Sequence, residues 1–511
     1  MTGHGGSGPP RGDGGRRAGD RNDDVGGGYP RRPGRGPARR GDAGGRDERV
    51  QAAGRRRRGT TVQPARRVAF DVVRAVTASD AYANLLLPSA IREAGLSAQD
   101  AALATELTYG TLRRLGTYDA VIAIVADRST SAIDPVVLDA LRLGAHQLLS
   151  TRVAPHAAVN ETVALVTEAA GRGAGGFANA VLRRMAGRDA ASWQEAIESS
   201  ARSDDERIGR RSSHPVWILR AFRRALAAEG RIEELDALLA ADNKAPEVTL
   251  VALPGLADPA GEPRPYASTA FGSAGGDPAS LIEATGGRVR VQDEGSQLVA
   301  LALAGVIPIV PGERWLDLCA GPGGKTALLA AQARLGGAAL EANEIVPARA
   351  GLVRRALRAV PLEVPVSEED GREFARQRPA RYDRILVDAP CTGLGALRRR
   401  PEARWRKVPA DVPELAALQE ELLSAAIEAL RPGGVVAYVT CSPHLAETAG
   451  VVESVLRARP DLAELDARAA IRGVSRSVID LPEPVSGRGH AQLWPHRHGT
   501  DAMFLSLLRK G

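Results

Sequence analysis

Cysteine, lysine and long apolar runs are all scarce in this chain of 511 residues. Its three cysteines are separated by 72 and 50 residues, which fits neither a disulfide framework nor a paired-cysteine metal site. No apolar run reaches the roughly 18 residues that a membrane span needs, and the N-terminus lacks the apolar stretch of a secretion signal. We therefore expect a cytoplasmic, monomeric protein that binds no metal and no membrane.

The positive charge of the chain is concentrated at its N-terminus. Residues 1–62 hold 15 arginines, no lysine and 7 acidic residues, a net charge of +8, whereas the whole chain carries +7. The remaining residues therefore carry a net charge of only −1. The first 62 residues also have almost no apolar side chains to bury, so we predict a disordered Arg/Gly-rich tail. Such a tail could bind RNA electrostatically or could simply solubilise the protein.

Helical periodicity dominates the chain after this tail. Residues 63–190 show apolar stripes at helical spacing without strand-like alternation, and Asp134 before a proline is typical of an N-cap. We predict an all-helical domain over residues 63–190, followed by a helical linker and a small α/β connector over residues 191–295. Alternating residues at 247–252 and 288–292 predict the strands of the connector.

A different pattern begins near residue 296 and continues to the C-terminus at residue 511. Short apolar runs alternate there with helical segments, as in a doubly wound α/β (Rossmann-like) domain with parallel strands. The predicted strands cover residues 315–319, 338–342, 385–387 and 435–439. A last apolar run, over residues 502–508, predicts an added edge strand.

A glycine-rich turn follows the first of these strands, in the sequence LDLCAGPGGKT over residues 316–326. A Walker A loop would need glycine where Cys319 stands, and a dinucleotide-binding GxGxxG would need glycine where Thr326 stands. A turn of this kind before a helix still lets a ligand approach the backbone closely. The pattern that remains is typical of an S-adenosylmethionine site, in which Lys325 could pair with the amino-acid moiety of the cofactor.

Two acidic residues follow the next two extended segments. Glu344 comes 20 residues after Gly324, where doubly wound folds use an acid to bind ribose hydroxyls. Asp370 precedes Gly371 after a third extended segment, and we expect it to reach the adenine edge. We therefore predict that both acids contribute to the cofactor site.

Two cysteines follow strands that we expect to be neighbours in the sheet. Cys391 lies in DAPCTG, over residues 388–393, and Cys441 lies in TCSP, over residues 440–443. Enzymes that methylate exocyclic amines have a second proline and an aromatic residue after such an acid, so a thiol here indicates methylation of a ring carbon instead. Cytosine C5 becomes nucleophilic only after another group adds to C6, and a thiolate is suited to that addition.

These motifs resemble those of a known enzyme family. LDLCAGPGGKT, DAPCTGLG and YVTCSP look like the RNA cytosine-5 methyltransferases of the Nol1/Nop2/Sun group, and VQDEGSQ at 291–297 resembles the segment that opens their catalytic core. LRLGAHQLL at 141–149 and FANAVLRR at 177–184 resemble the NusB-type RNA-binding domain. Over about residues 64–510 the combination is similar to bacterial methyltransferases of 16S ribosomal RNA. One departure is that the acidic residues usual after TCS are shifted, with Glu447 the nearest.

The resemblance implies a role for each matching residue. Cys441 would be the nucleophile that adds to C6, Cys391 would assist loss of the C5 proton and product release, and Asp388 would hydrogen-bond the cytosine N3 or amino edge. The target base would have to leave its stack, which favours a loop or partly unfolded RNA. We expect the thiol of Cys319 to be structural. The residues implied to surround S-adenosylmethionine are Cys319, Ala320, Gly321, Pro322, Gly323, Gly324, Lys325, Glu344, Asp370 and Asp388.

Basic residues and a tryptophan cluster in the sequence shortly after Cys391. This cluster would lie beside the predicted cleft, and an aromatic side chain among cations is typical of a groove for single-stranded RNA. We therefore predict that the cluster binds RNA. The residues expected to make the contacts are Arg398, Arg399, Arg404 and Trp405, with Arg400, Arg406 and Lys407 beside them.

The sequence leaves three alternatives open beside an S-adenosylmethionine-dependent enzyme that forms 5-methylcytosine in ribosomal RNA. In a DNA cytosine-5 methyltransferase, Cys391 would be the nucleophile. A non-catalytic RNA-binding or antitermination-type factor would retain a decayed methyltransferase domain, although all the motif residues are present here. A P-loop ATPase is disfavoured by Cys319, which replaces the first glycine of the loop.

Overall fold

The computed structural model of the protein describes residues 62–79, 81–273 and 278–511. The predicted tail therefore lies outside the described residues, apart from Val62. The described residues form one compact unit. Among the helices of the described residues, none combines the length and the apolar character that crossing a membrane would require.

Up to residue 243, the described part of the chain forms helices joined by short connections. Asp134 caps one of them as predicted, because its carboxylate accepts hydrogen bonds from the backbone N–H groups of Val136 and Val137. The apolar stripes meet in a shared core, which confirms the predicted helical domain. The helices are α1 Pro64–Ala78, α2 Ala83–Glu93, α3 Ala98–Arg113, α4 Leu115–Ala126, α5 Pro135–Ser150, α6 Pro155–Ala186, α7 Ala190–Ser199, α8 Asp204–Ser212, α9 Val216–Ala228 and α10 Leu235–Asp242.

A small antiparallel sheet follows these helices. Its strand order is β2-β1-β3, and the two outer strands pair with the central one through registers such as Leu250 with Phe271 and Leu250 with Val291. Both predicted connector strands are present, and a third one lies in the loop between them, where glycine and proline masked the strand pattern. The elements are β1 Thr249–Ala252, β2 Ala270–Gly272, α11 Pro278–Ala284 and β3 Val289–Val291.

The rest of the chain forms the predicted doubly wound α/β domain. Its large sheet has the strand order β10-β11-β8-β7-β4-β5-β6, with β9 paired to β11. The elements are α12 Glu294–Gly305, β4 Arg314–Asp317, α13 Gly324–Gly336, β5 Ala339–Asn343, α14 Pro347–Leu357, β6 Val366–Ser367, α15 Gly371–Arg376, β7 Tyr382–Asp388, α16 Ala403–Arg406, α17 Asp411–Ala429, β8 Leu430–Thr440, α18 Ala449–Ala458, β9 Leu462–Leu465, α19 Ala467–Val474, β10 Ala491–Gln492, α20 Pro495–His498 and β11 Phe504–Lys510.

The five neighbouring strands β8, β7, β4, β5 and β6 are parallel, and β11 runs antiparallel to β8. The last strand was predicted at the edge of the sheet, and that prediction was wrong. β11 pairs with β8 on one side and with β9 and β10 on the other. The two outer strands are too short to give a recognisable pattern, and β11 is accordingly buried over most of its length.

Successive residues of the central strands face opposite sides of the sheet, so each strand contributes to two cores. Trp315 and Leu386 pack with α12, α13, α14 and α19 on one face. Leu316 and Ile385 pack with α15, α17 and α18 on the other face. This burial on both faces explains why the strands have continuous apolar sequences. Because the strands are parallel, the loops that follow them meet at the same edge of the sheet.

Candidate active site at the carboxyl edge of the sheet

The loop between β4 and α13 passes so close to its neighbours that it has no room for side chains at two glycines. Gly323 has a φ of 102°, and a Cβ atom there would lie 2.9 Å from the Cα atom of Val353. A Cβ atom at Gly321 would lie 2.2 Å from the Oε2 atom of Glu344. The glycines therefore set the path of the loop over the ends of the strands.

Glu344 holds this loop in place. Its Oε2 atom accepts a hydrogen bond from the backbone N–H of Gly321 at 3.0 Å, and its Oε1 atom accepts one from Val346 at 3.0 Å. Arg349 donates to the carbonyl oxygen of Gly321 at 2.7 Å and lies 3.4 Å from the Glu344 carboxylate. The side chain that was predicted to bind ribose is thus buried beside the glycine loop, and ribose binding stays a prediction.

Asp370 also has a structural role in the structure. It caps α15, and its Oδ1 atom accepts hydrogen bonds from the backbone N–H and the Nε of Arg372, both at 2.9 Å. These hydrogen bonds from Arg372 lower the pKa of Asp370 to about 2. The carboxylate is therefore ionised and already accepts hydrogen bonds from Arg372. Adenine would have to bind it beside Arg372.

Two polar residues beside the loop were not singled out from the sequence as site residues. Asp317 ends β4, and burial raises its pKa to about 7; Thr326 donates to its Oδ2 atom at 2.7 Å. The Oδ1 atom of Asp317 and both amide atoms of Gln292 are buried without a hydrogen-bond partner among the described residues. Gln292 lies beside Gly324, at the start of α13. These unpaired polar atoms are able to receive a polar ligand at the glycine loop.

The two cysteines predicted to act together do lie together. β7 and β8 are adjacent and parallel, with Asp388 paired to Val439, so the loops that follow them leave the same edge of the sheet. The Sγ atoms of Cys391 and Cys441 are 3.4 Å apart. The hydrogen bond between the thiols lowers the pKa of Cys441 and raises that of Cys391, and the charges of Arg400 and Lys325 lower the pKa of Cys441 further. Cys441 is therefore the better thiolate of the pair.

Lys325 and Asp388 connect the glycine loop to the cysteines. The Nζ atom of Lys325 lies 2.8 Å from the Oδ2 atom of Asp388. Burial alone would lower the pKa of Lys325, but the attraction of Asp388 outweighs it and raises the pKa. This ion pair joins a residue of the glycine-loop motif to a residue of the DAPCTG motif.

Cys319 differs from the other two cysteines. Its side chain packs against the hydrophobic core on the α15 face of the sheet. Burial raises the pKa of this thiol far above its usual value, and the carboxylate of Asp317 raises it further. A thiol that stays protonated is a poor nucleophile, which is in line with the structural role expected for Cys319.

Comparisons with known proteins agree with this arrangement. Residues 304–509 match the family model described as 16S rRNA methyltransferase RsmB/F, and residues 63–187 match the NusB family. A protein of Mycobacterium tuberculosis, named as a methyltransferase without a stated substrate, is 50% identical over 476 residues that cover 90% of this chain and 99% of the relative. The chain belongs to the RsmB/F methyltransferase family.

One further relative and one solved structure extend this result. The ribosomal RNA small subunit methyltransferase B of Pseudomonas putida is 32% identical over 407 residues, which cover 77% of this chain and 88% of the relative. The crystal structure of PH0851 matches with a TM-score of 0.72 at 20% identity, over 88% of this chain and 99% of that one. The structural match supports the fold of this RsmB/F-family enzyme.

Glu447 is a residue of the candidate site to which sequence reasoning gave little weight. It is wholly buried, and its carboxylate accepts hydrogen bonds from the backbone N–H of Thr392 at 2.7 Å and from the hydroxyl of Ser442 at 2.6 Å. The shifted acid after the TCS motif thus reaches the loops of both cysteines. Its spacing from Cys441 was visible in the sequence, but its contact with the Cys391 loop depends on the adjacency of β7 and β8.

The basic cluster occupies a different position from the one expected. We call residues 398–407 the basic segment. Arg404 is fully buried, and its guanidinium donates to the carbonyl oxygens of Arg113, Ser213 and Asp242. Trp405 donates to the carbonyl oxygen of Leu112 and packs against the core formed by the first three helices. These side chains join the helical domain to the catalytic domain, so they do not form the predicted solvent-facing RNA groove.

Arg398 and Arg399 are also engaged within the protein. Arg398 is buried and donates to the carbonyl oxygen of Gly499 at 2.9 Å. Arg399 makes ion pairs with Asp293 at 2.6 Å and with Asp501 at 3.0 Å. Within the part of the chain that the structure describes, their charges are thus already paired or hydrogen-bonded, which again differs from the expected RNA-contact surface.

Proposed function

We propose that this RsmB/F-family methyltransferase transfers a methyl group from S-adenosylmethionine to C5 of a cytosine in ribosomal RNA. We propose the 16S RNA of the small ribosomal subunit as the substrate. The observation that carries this proposal is the pair of thiols 3.4 Å apart at the carboxyl edge of the sheet. The names of the curated relatives support a ribosomal RNA substrate, including small subunit methyltransferase B of Pseudomonas putida. An enzyme with this substrate would work in the cytoplasm.

The cofactor site that we infer lies at the glycine loop. Its residues fit S-adenosylmethionine because Gly321 and Gly323 allow close approach of a ligand, and because Asp317 and Gln292 offer buried polar atoms without partners among the described residues. The backbone from Cys319 to Lys325, together with Glu344, Asp370 and Asp388, would surround the bound cofactor. The sulfonium of S-adenosylmethionine supplies an electrophilic methyl group.

Cys441 would begin the reaction. Its thiolate Sγ adds to C6 of the flipped cytosine, which forms an S–C6 bond and makes C5 nucleophilic. After C5 has been methylated, removal of the C5 proton lets the S–C6 bond break, which restores the ring double bond and the thiolate. The lowered pKa of Cys441 supports its role as the attacking group, because the thiolate is the reactive form.

Cys391 and Asp388 would assist from the neighbouring strand end. The sulfur of Cys391 is close enough to Cys441 to exchange a proton with it, so Cys391 can aid loss of the C5 proton and product release. The carboxylate of Asp388, held by Lys325, would accept a hydrogen bond from the amino group of cytosine and so hold the ring in position for the addition.

The decisive experiment compares Cys391→Ala with Cys441→Ala, using ribosomal RNA and S-adenosylmethionine. We expect Cys391→Ala to accumulate a covalent protein–RNA adduct, because addition occurs but release is impaired. Cys441→Ala should form no adduct and should lose at least about 10³-fold in turnover. Gel analysis under denaturing conditions and quantification of 5-methylcytosine measure both effects. The reverse adduct pattern would make Cys391 the nucleophile, as in DNA cytosine-5 methyltransferases.

Calorimetry separates this proposal from a non-catalytic RNA-binding factor. We expect the wild-type protein to bind S-adenosylmethionine, whereas a factor with a decayed catalytic domain would not bind it even when folded. Bisulfite mapping of ribosomal RNA from a strain that lacks this protein would then identify the methylated cytosine as the position that becomes unprotected.

A further inference from the structure

Glu447 lies where the loops of the two reactive cysteines meet. Its side chain is completely buried, within the single helical turn Leu445–Glu447 that follows β8. The neighbours of the cysteines donate to it: Thr392, next to Cys391, through its backbone N–H, and Ser442, next to Cys441, through its hydroxyl. One carboxylate therefore bridges residues that are adjacent to the two sulfurs.

More contacts fix this carboxylate in place. The hydroxyl of Thr392 donates to its Oε2 atom, and the side-chain amide of Gln419 on α17 donates to its Oε1 atom at 3.3 Å. Tyr438 on β8 donates to the backbone carbonyl oxygen of Glu447 at 2.7 Å. A buried carboxylate is tolerated when several donors satisfy it, and here each oxygen has two. The donors come from the β7 loop, the β8 loop and α17, so displacement of one would disturb the others.

Gln419 extends the same network to the start of the Cys391 loop. Its side-chain amide also donates to the carbonyl oxygen of Pro390 at 2.8 Å, and its amide oxygen lies 3.2 Å from the hydroxyl oxygen of Tyr438. Pro390 and Thr392 flank Cys391 in the sequence, so the loop is held on both sides of the cysteine. The separation of the two sulfurs is thereby set by hydrogen bonds to the loops rather than by contacts of the sulfurs alone.

We propose that Glu447 is a positioning residue that holds Cys391 and Cys441 at the separation needed for one thiol to donate a hydrogen bond to the other. The proposal rests on the proposed function in one respect, namely that Cys441 is the nucleophile. Among the described residues no hydrogen bond joins Glu447 to either sulfur, although its charge contributes to the raised pKa of Cys391; its effect on the positions of the thiols is transmitted through Thr392 and Ser442. A substitution should therefore alter the reactivity of the thiol more than the binding of RNA.

The first test is Glu447→Gln in the full-length protein. Glutamine keeps the size of the side chain, but its amide nitrogen cannot accept a hydrogen bond from the Thr392 N–H or from a hydroxyl. We expect the pH profile of Cys441 alkylation by iodoacetamide, followed by peptide mass spectrometry, to shift to higher pH by at least about one unit, since the thiolate loses its hydrogen-bond donor. The kcat for methyl transfer should fall at least about 30-fold while KM for RNA changes less than about threefold.

Glu453→Gln is the matched control. Glu453 lies on α18, six residues after Glu447, and the same change of charge there should leave the alkylation profile and kcat as in the wild type. Thr392→Val and Ser442→Ala each remove a single donor to the Glu447 carboxylate. They should shift the alkylation profile in the same direction by a smaller amount. If Glu447→Gln fails to fold, these two variants test the positioning role instead.

An alkylation profile that stays unchanged in Glu447→Gln, or a rise in KM without a fall in kcat, would overturn the positioning role. The alkylation measurement needs no RNA, so it distinguishes this failure from failure of the proposed function. If the wild-type protein methylated no cytosine but the alkylation profile still shifted in the variant, the positioning role would stand and the proposed reaction would not.

Discussion

The sheet edge with the two cysteines and the basic segment both carry side chains that the sequence marked as functional, yet only the first is arranged as expected. Cys391 and Cys441 leave neighbouring strands at the same edge, with their sulfurs 3.4 Å apart. Arg404 and Trp405 of the basic segment instead pack against the helical domain. The predicted proximity of the cysteines is therefore confirmed, whereas the predicted location of the basic side chains is wrong.

The two regions differ in how far away in the sequence the residues lie that determine their positions. Each cysteine comes within three residues of the end of a strand, and the order of parallel strands is enough to bring such positions together. The position of Arg404 depends on carbonyl groups of Arg113 and Ser213, which are 291 and 191 residues away in the sequence. A run of arginines and a tryptophan gives no sign of such partners.

Arg404→Ala should produce the largest difference between the two regions. It leaves three buried carbonyl oxygens without their donor and opens a cavity, so we expect a loss of about 3 kcal/mol in the free energy of unfolding. Cys441→Ala removes one small side chain, and we expect it to cost less than about 1 kcal/mol. Urea unfolding followed by circular dichroism measures both changes.

Activity should respond in the opposite order. Arg404→Ala, assayed where it remains folded, should retain kcat within about threefold, whereas Cys441→Ala should be inactive. Gly116→Ala is an independent disruption of the same interdomain contact, because its Cβ atom would lie 2.3 Å from the ring of Trp405. If Arg404→Ala kept full stability and only weakened RNA binding, the RNA-groove interpretation of the basic segment would be right after all.

The same contrast explains how much of the molecule could be predicted from its sequence. The helical domain, two of the three connector strands and four of the five parallel strands follow from periodicity. Glycine and proline hid the pattern of β2, and β6, with two residues, was too short to locate. β11 was recognised but assigned to the edge, because β9 and β10, with four and two residues, are too short to locate from the sequence. In the site, the glycine loop and the cysteines could be predicted, whereas the reach of Glu447 to Thr392 required the three-dimensional order of the strands.

The dependence of stability on pH should also differ between the two regions. Burial raises the pKa of Asp317 at the sheet edge from 3.8 to about 7, so the folded state favours the protonated acid. The stability from this protonation is fully present below about pH 4 and is lost as the pH rises through about 7. Burial lowers the pKa of Arg404 to about 10, so this side chain keeps its charge through that range.

Asp317→Asn should therefore flatten the dependence of stability on pH. Between pH 5 and pH 7 we expect the wild type to lose about 2 kcal/mol more in its free energy of unfolding than Asp317→Asn. Denaturant titrations at several pH values give this difference. Arg404→Ala, by comparison, should lower stability by a similar amount at each pH. Equal slopes for the wild type and Asp317→Asn would show that Asp317 is ionised in the folded protein throughout the range.

The smallest effect is expected at Arg400, an arginine whose charge reaches Cys441. Arg400 belongs to the basic segment, but it is exposed, and no carboxylate of the described residues lies within ion-pair distance of it. Its charge lowers the pKa of Cys441, and its guanidinium lies 5.8 Å from the ring centroid of Tyr82, which is 42% exposed. A cation without an ion-pair partner among the described residues, beside an exposed aromatic ring, suits single-stranded RNA next to the target base.

Arg400→Ala should weaken RNA binding about fivefold, or about 1 kcal/mol, and should reduce the slope of log affinity against log salt by about 1. Its free energy of unfolding should stay within about 0.5 kcal/mol of the wild type. Arg400→Lys should retain most of the affinity. Arg376→Ala is the control, because this exposed arginine ends α15 at the opposite edge of the sheet. An unchanged salt slope in Arg400→Ala, measured by filter binding, would mean that the basic segment contributes only interdomain packing and that RNA is held elsewhere.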